Sequence, residues 1–247
     1  MALGTPTALL TAASDTTPAD PQDTASVTPT ANTPGFIAVV CTRNPATSVT
    51  ITAGSGLDLG TISEVDHYDF GTIASPSRSL YVFKYTGAAS PGSGVITIDP
   101  GAAPNGLAWG AVEIANMDTT NLVTAKDRTD SAAGLTVTLD DAGGTLSWGL
   151  TLGFFANNDS TSAMSLGAGF TGMWNVAMAS SNSSRFRGEY VASKDLTVDA
   201  GATTVAYAGI AVGVSEVAAP AGQPSSKRVG GVPGMNLRPN LLGPRLW

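Results

Sequence analysis

The chain has 247 residues, of which 43% are hydrophobic, only 13% are charged and 29 are glycine. Twelve basic residues stand against 19 acidic ones, a net charge of −7 that argues against a basic nucleic-acid binder. Glu, Lys, Leu and Arg are too sparse for a helical bundle, and no run of about 18 apolar residues is present to span a membrane. The one cysteine, Cys41, allows neither an internal disulfide nor a cysteine-based zinc site.

Residues 1–35 are rich in Thr, Ala, Pro and Asp and contain no Lys or Arg. This composition predicts an extended N-terminal arm. A secretory signal would need a basic start and a longer apolar stretch than Leu9-Leu10 provides. From Phe36 to Val217 the hydrophobic period is two, with turn residues at short, regular intervals. Phe36–Cys41 is a continuous apolar run suited to a strand buried on both faces. Strands are also expected at Ser48–Thr52, Ile62–Phe70, Leu80–Tyr85, Val95–Ile98, Leu107–Ile114, Leu135–Leu139, Leu146–Phe155, Arg185–Val191 and Val205–Val214. The glycines of Met164–Ser180 suit neither helix nor strand. The spacing predicts an all-β fold, a two-sheet β-sandwich of jelly-roll-like type over residues 36–219. Gly110, Gly149, Gly153, Gly209 and Gly213 fall at or inside apolar strands, which points to close packing against neighbours such as Trp109, Trp148, Phe154 and Phe155.

Residues 220–247 form a C-terminal tail of different character. Lys227, Arg228, Arg238 and Arg245 give it +4 with no acidic residue, leaving 8 basic and 19 acidic groups on residues 1–219, net −11. Four prolines and four glycines from residue 224 onward exclude a regular helix or strand there. A merely solvating linker has no use for Met235, Leu237, Leu241, Leu242, Leu246 and Trp247. The tail is therefore read as a partner-binding segment, with these apolar residues as anchors and Arg238 and Arg245 pairing with carboxylates.

Groups with catalytic potential are few. Strand alternation would place His67 and Asp69 on one face and Asp66 and Tyr68 on the other, but no Gly-x-Ser-x-Gly elbow supplies a nucleophile. The polar outer face of a long strand is the preferred reading. Asp127 with Asp130, and Asp140 with Asp141, sit in stretches that look like turns, where Asp bonds its own backbone. Asn157-Asn158-Asp159 is an oxygen-rich loop that would suit calcium, without the spacing of a known calcium loop. No phosphate-binding or dinucleotide motif is present. No catalytic residue, metal site or cofactor is assigned.

The run Thr24-Ala25-Ser26-Val27-Thr28-Pro29-Thr30-Ala31-Asn32 followed by Phe36–Cys41 resembles the start of β-sandwich proteins encoded by tailed bacteriophages. The Gly-rich turn Ala53–Leu57, the strands Leu80–Tyr85, Leu107–Ile114 and Ala206–Val214, and the Gly230-Gly231-Val232-Pro233 and Gly-Pro-Arg-Leu-Trp ends extend the similarity. The resemblance implies a non-enzymatic virion component, a head decoration, cement or vertex protein, made in the host cytoplasm and homo-oligomeric in the particle. Its partners would be the major capsid protein or neighbouring copies, with no role for nucleic acid or membrane. A carbohydrate-binding or host-adhesion module of a tail or fibre is the rival, favoured if Tyr68, Trp174 and Tyr190 lie open in a cleft. A glycan-degrading enzyme would need two carboxylates facing each other across roughly 5–10 Å.

Overall fold

A computed structural model describes residues 2–42, 48–72, 75–158, 162–178 and 184–218. The tail positions Met235, Leu237, Arg238, Leu241, Leu242, Arg245, Leu246 and Trp247 lie outside the described residues. The described chain is all-β and contains no helix.

Thirteen strands occur among the described residues. They are β1 (Thr7–Asp15), β2 (Gln22–Asp23), β3 (Gly35–Thr42), β4 (Thr50–Ala53), β5 (Ile62–Thr72), β6 (Ser75–Tyr85) and β7 (Ile96–Asp99). After them come β8 (Gly106–Glu113), β9 (Met117–Thr138), β10 (Leu150–Asn158), β11 (Thr171–Met178), β12 (Ser184–Val191) and β13 (Thr197–Glu216). They form three sheets rather than the two expected: β1-β8-β3-β6-β5, β11-β12-β10-β13-β9 and β2-β7-β4. Every pairing between strands is antiparallel.

The extra sheet follows from apolar residues at consecutive positions. In β3, Phe36, Ala38 and Val40 enter one core, and Ile37, Val39 and Cys41 enter another. β6 and β8 divide in the same way, with Leu80, Val82, Ala108 and Val112 on the first side and Tyr81, Phe83, Leu107 and Trp109 on the second. A sheet apolar on both faces must be covered twice. The second five-stranded sheet covers one face through Leu150, Leu152, Phe154, Phe186, Ile210 and Val212. The three-stranded sheet covers the other through Ile51, Ile96 and Ile98. A third core, with Val137, Trp148, Phe155, Met164, Phe170, Val198 and Tyr207, lies on the far face of the second sheet.

Residues 2–35, expected as an arm, fall within the same compact unit, which runs to Val217. β1 is the edge strand beside β8, with Leu10 in the core. Farther on, Val27 bridges to Gly94, and Glu113 accepts hydrogen bonds from Thr30 N at 2.7 Å and Thr30 Oγ1 at 2.8 Å.

The strand glycines are seats for aromatic rings. A Cβ on Gly188 would meet Trp174 Cε2 at 2.5 Å, and one on Gly110 would meet the same ring at 2.9 Å. Gly209 and Gly153 receive Phe155 at 2.7 and 2.8 Å, and Gly213 receives Trp148 at 2.8 Å. Trp148 and Phe155 were expected in this role from the sequence; Trp174 was not.

Replacing Gly188 by Ala should therefore overpack the Trp174 seat and destabilise the protein by about 2–3 kcal/mol. Gly149→Ala is the control, because its Cβ would meet only Leu3 Cδ2 at 3.5 Å and should change stability by less than about 0.5 kcal/mol. Urea denaturation of the two variants separates them; equal stabilities would refute the seat.

Candidate functional site

A cleft of about 470 Å³ lies between β1 and β11, the edge strands of the two large sheets. The opposite side of this sandwich is shut. There Lys126 pairs with Asp66 at 2.6 Å and Arg128 Nη1 donates to Asp69 O at 3.0 Å, joining β9 to β5. Tyr68 is covered in that seam, with Lys126 and Arg128 each 5.4 Å from its ring centroid.

Both cleft walls are irregular. The β1–β8 register shifts between Ala8 and Leu10 and again between Leu10 and Ala13, and the β11–β12 register shifts between Gly172 and Trp174. Ala8, Leu10, Thr11 and Ala12 on one side and Gly172, Met173 and Trp174 on the other all line the opening. Bulges bend a strand and re-aim its side chains, so the cleft sits where both edges depart from regular pairing. Tyr190, directly across from Thr171 in the β11–β12 ladder, completes the wall. Of the three aromatic residues that bear on the rival reading, Trp174 and Tyr190 reach the cleft and Tyr68 does not. Trp174 is also structural, with ring centroids 5.4 Å from Phe186 and 6.0 Å from Phe154. Its buried Nε1–H has no hydrogen-bond partner among the described residues.

The sequence-level candidates for chemistry separate in space. His67 Nδ1 lies 2.6 Å from Glu64 Oε1 and its ring stacks on Tyr81 at 5.0 Å. Asp69 instead accepts from Ser79 Oγ at 2.7 Å, so the two members of the conceivable triad have different partners. Asp127 and Asp130 lie within β9 rather than in a turn, where Asp127 accepts from Arg128 N and Asp130 is exposed. Asp140 caps Ala142 N at 2.8 Å, while Asp141 binds Lys194 at 2.9 Å; that lysine contact and the Gly144 N–H hold the Asp141 carboxyl below its usual range. Asn157 Oδ1 and Asn158 Oδ1 accept from the backbone N–H groups of Arg185 and Ala206, which ties β10 to its two neighbours. Asp159 lies outside the described residues. Among the described residues, no three His, Cys, Asp or Glu side chains gather as metal ligands.

A cluster that sequence reasoning missed lies beneath residues 162–170. Arg187 and Glu189, both nearly inaccessible, project from β12 on the face away from the main core and pair at 3.1 Å. Arg187 Nη1 donates to Met164 O, and Glu189 Oε2 receives Gly167 N–H at 3.4 Å. The pair thus fixes the segment that brings Met164 and Phe170 onto the third core. Burial pushes the Glu189 carboxyl up to about 7, against the opposing pull of the Arg187 hydrogen bond and charge; Asp199 adds to the rise. Glu189 Oε1 has no hydrogen-bond partner among the described residues. The i, i+2 spacing of two opposite charges in a strand was the one available signal, since it places both on the same face.

The cations of the described body are all drawn into internal contacts. Beyond Lys126, Arg128 and Arg187, Lys84 donates to Thr119 O, Arg185 to Asn175, and Lys194 to Leu146 O. Arg78 is buried and donates to Ser77 Oγ. Carboxylates such as Asp20, Asp23, Asp58, Asp99, Asp130 and Glu216 remain exposed.

No protein-family model, curated protein or solved structure matches the chain.

Because the folded pKa of Glu189 lies above its ordinary value of 4.5, its contribution to stability is complete below about pH 4.5 and is lost as pH rises through about 7. The wild type should lose on the order of 3 kcal/mol relative to Glu189→Gln across that interval, with a constant difference above it. Urea titrations between pH 4 and 8 read the difference directly. A difference independent of pH would show that Glu189 is ionised throughout.

Proposed function

We propose that the chain is a non-enzymatic structural component of a tailed-phage particle, a capsid decoration, cement or vertex protein that attaches through its terminal segments. The carrying observation is the segregation of charge. The described cations of the body, the exposed Lys126 and Lys194 among them, are engaged in ion pairs or hydrogen bonds within it, most of its exposed charge is carboxylate, and residues 220–247 hold four cations with no acid. Such a body and such a tail complement each other between copies, or between a copy and another acidic capsid surface. Apolar anchors on an extended segment add affinity over a wide area, offset by the cost of ordering it.

Strand order lends support. The pairs β1–β8, β2–β7 and β3–β6 are nested as in a jelly roll, with the departure at β4 and β5, which pair with β7 and β6. We read β1–β8 as a jelly-roll-like body backed by the second large sheet. Jelly rolls occur in viral capsid and in lectin domains, so the strand order favours the proposal only together with the charge pattern. The virion is the proposed location and neighbouring virion proteins are the proposed partners.

Deleting residues 220–247 should leave the melting temperature within a few degrees of wild type, because the compact unit ends at Val217. The truncated protein should be absent from purified particles. Incorporation at the full copy number would contradict the proposal. Lys227→Glu with Arg228→Glu should lower incorporation several-fold, more so at low salt, where unscreened repulsion is strongest.

A further inference from the structure

We propose that the cleft between β1 and β11 is a binding site for a neutral carbohydrate. The inference is independent of the assembly reading, since it rests on side chains remote in sequence from the tail.

Three features of the cleft carry it. First, its volume of about 470 Å³ lies within the range of about 300–1,000 Å³ usual for small-ligand sites. The opening also coincides with register shifts in both flanking strands, where two regular edges would otherwise close on each other. Second, three of its polar side chains are uncommitted, whereas the Asn175 amide is bound to Met164 O and Arg185. The hydroxyls of Thr11, Thr171 and Tyr190 line it and make no hydrogen bond with any described residue. Thr171 and Tyr190 are directly opposed on adjacent strands, so their side chains emerge side by side. Third, among the described residues no charged side chain lines it, on a protein whose exposed surface is rich in carboxylates.

These features specify the ligand chemically. Among the described residues of the wall, an anion would find no cation and a cation no carboxylate. A purely apolar molecule would bury three hydroxyls without partners, at about 1–3 kcal/mol each. A neutral sugar has hydroxyls to pair with Thr11, Thr171 and Tyr190 and C–H faces to lie against the apolar and aromatic wall around Trp174. The indole, held on Gly110 and Gly188, keeps that wall rigid before the ligand arrives.

The test uses the full-length protein on an array of neutral and anionic oligosaccharides, followed by calorimetry with maltohexaose, mannohexaose and chitohexaose, and with heparin as the anionic comparator. Saturable binding to at least one neutral oligosaccharide is expected. Thr171→Val and Tyr190→Phe should each weaken it about 3–10-fold, and the double variant by more, with unchanged melting temperature. Thr11→Val, at an exposed position on the other wall, repeats the test should the β11–β12 variants fold poorly. Absence of binding to every neutral oligosaccharide would overturn the site, as would a preference for heparin or affinity unchanged in all three variants.

Discussion

The central sheet has almost no solvent face along β3 and β8, where every residue is buried, and this condition governs the rest of the molecule. A strand with apolar side chains on both faces must be covered twice, so the chain supplies one sheet from its first half and another from its second. Close approach of the layers leaves room for large rings only where a neighbouring strand has no side chain. Gly110 and Gly188 admit Trp174, and Gly153 and Gly209 admit Phe155. Each fully buried large apolar side chain contributes about 1.5–3 kcal/mol, and the rings do so without splitting the sheets apart.

Much of this was legible where consecutive apolar or alternating residues left no other reading. Phe36–Cys41, Leu80–Tyr85 and Leu107–Ile114 are strands, and the first was read as buried on both faces. The same feature, followed through, required a third sheet, which periodicity within single strands does not count. β1 escaped notice because Thr-Ala-Leu-Leu-Thr-Ala-Ala has little β-branched or aromatic content, and its place comes from pairing with β8. Most of β9 was missed for a related reason. Residues 117–134 are polar, and their strand is fixed by the ladder to β13 and by the lysine and arginine contacts to β5. The turn at Asp140 follows from residue type, but the same reading fails at Asp127 and Asp130, which lie within β9.

The candidate site was less legible because it depends on register. Trp174 and Tyr190 could be marked as aromatic residues to watch, but nothing in their neighbours shows that both edges bulge at the same place. Arg187 and Glu189 are similar. Their spacing places them on one face, whereas only the fold shows that face covered by residues 162–170. Buried charges of this kind are costly, and retaining them fixes a segment in one position rather than adding much stability. Among the described residues, the cations of the body are engaged in contacts within it and most of its exposed charge is negative, whereas residues 220–247 carry only positive side chains.

That polarity is the core of the assembly proposal, and protease accessibility tests it most directly. Trypsin digestion of the free protein and of intact particles, read by mass spectrometry, follows cleavage after Lys227, Arg228 and Arg245; Arg238 precedes Pro239 and is a poor site. The expected result is cleavage at these positions in the free protein and protection of the same positions in the particle. Equal cleavage rates in the two samples, or particles without the protein, would contradict attachment through the tail.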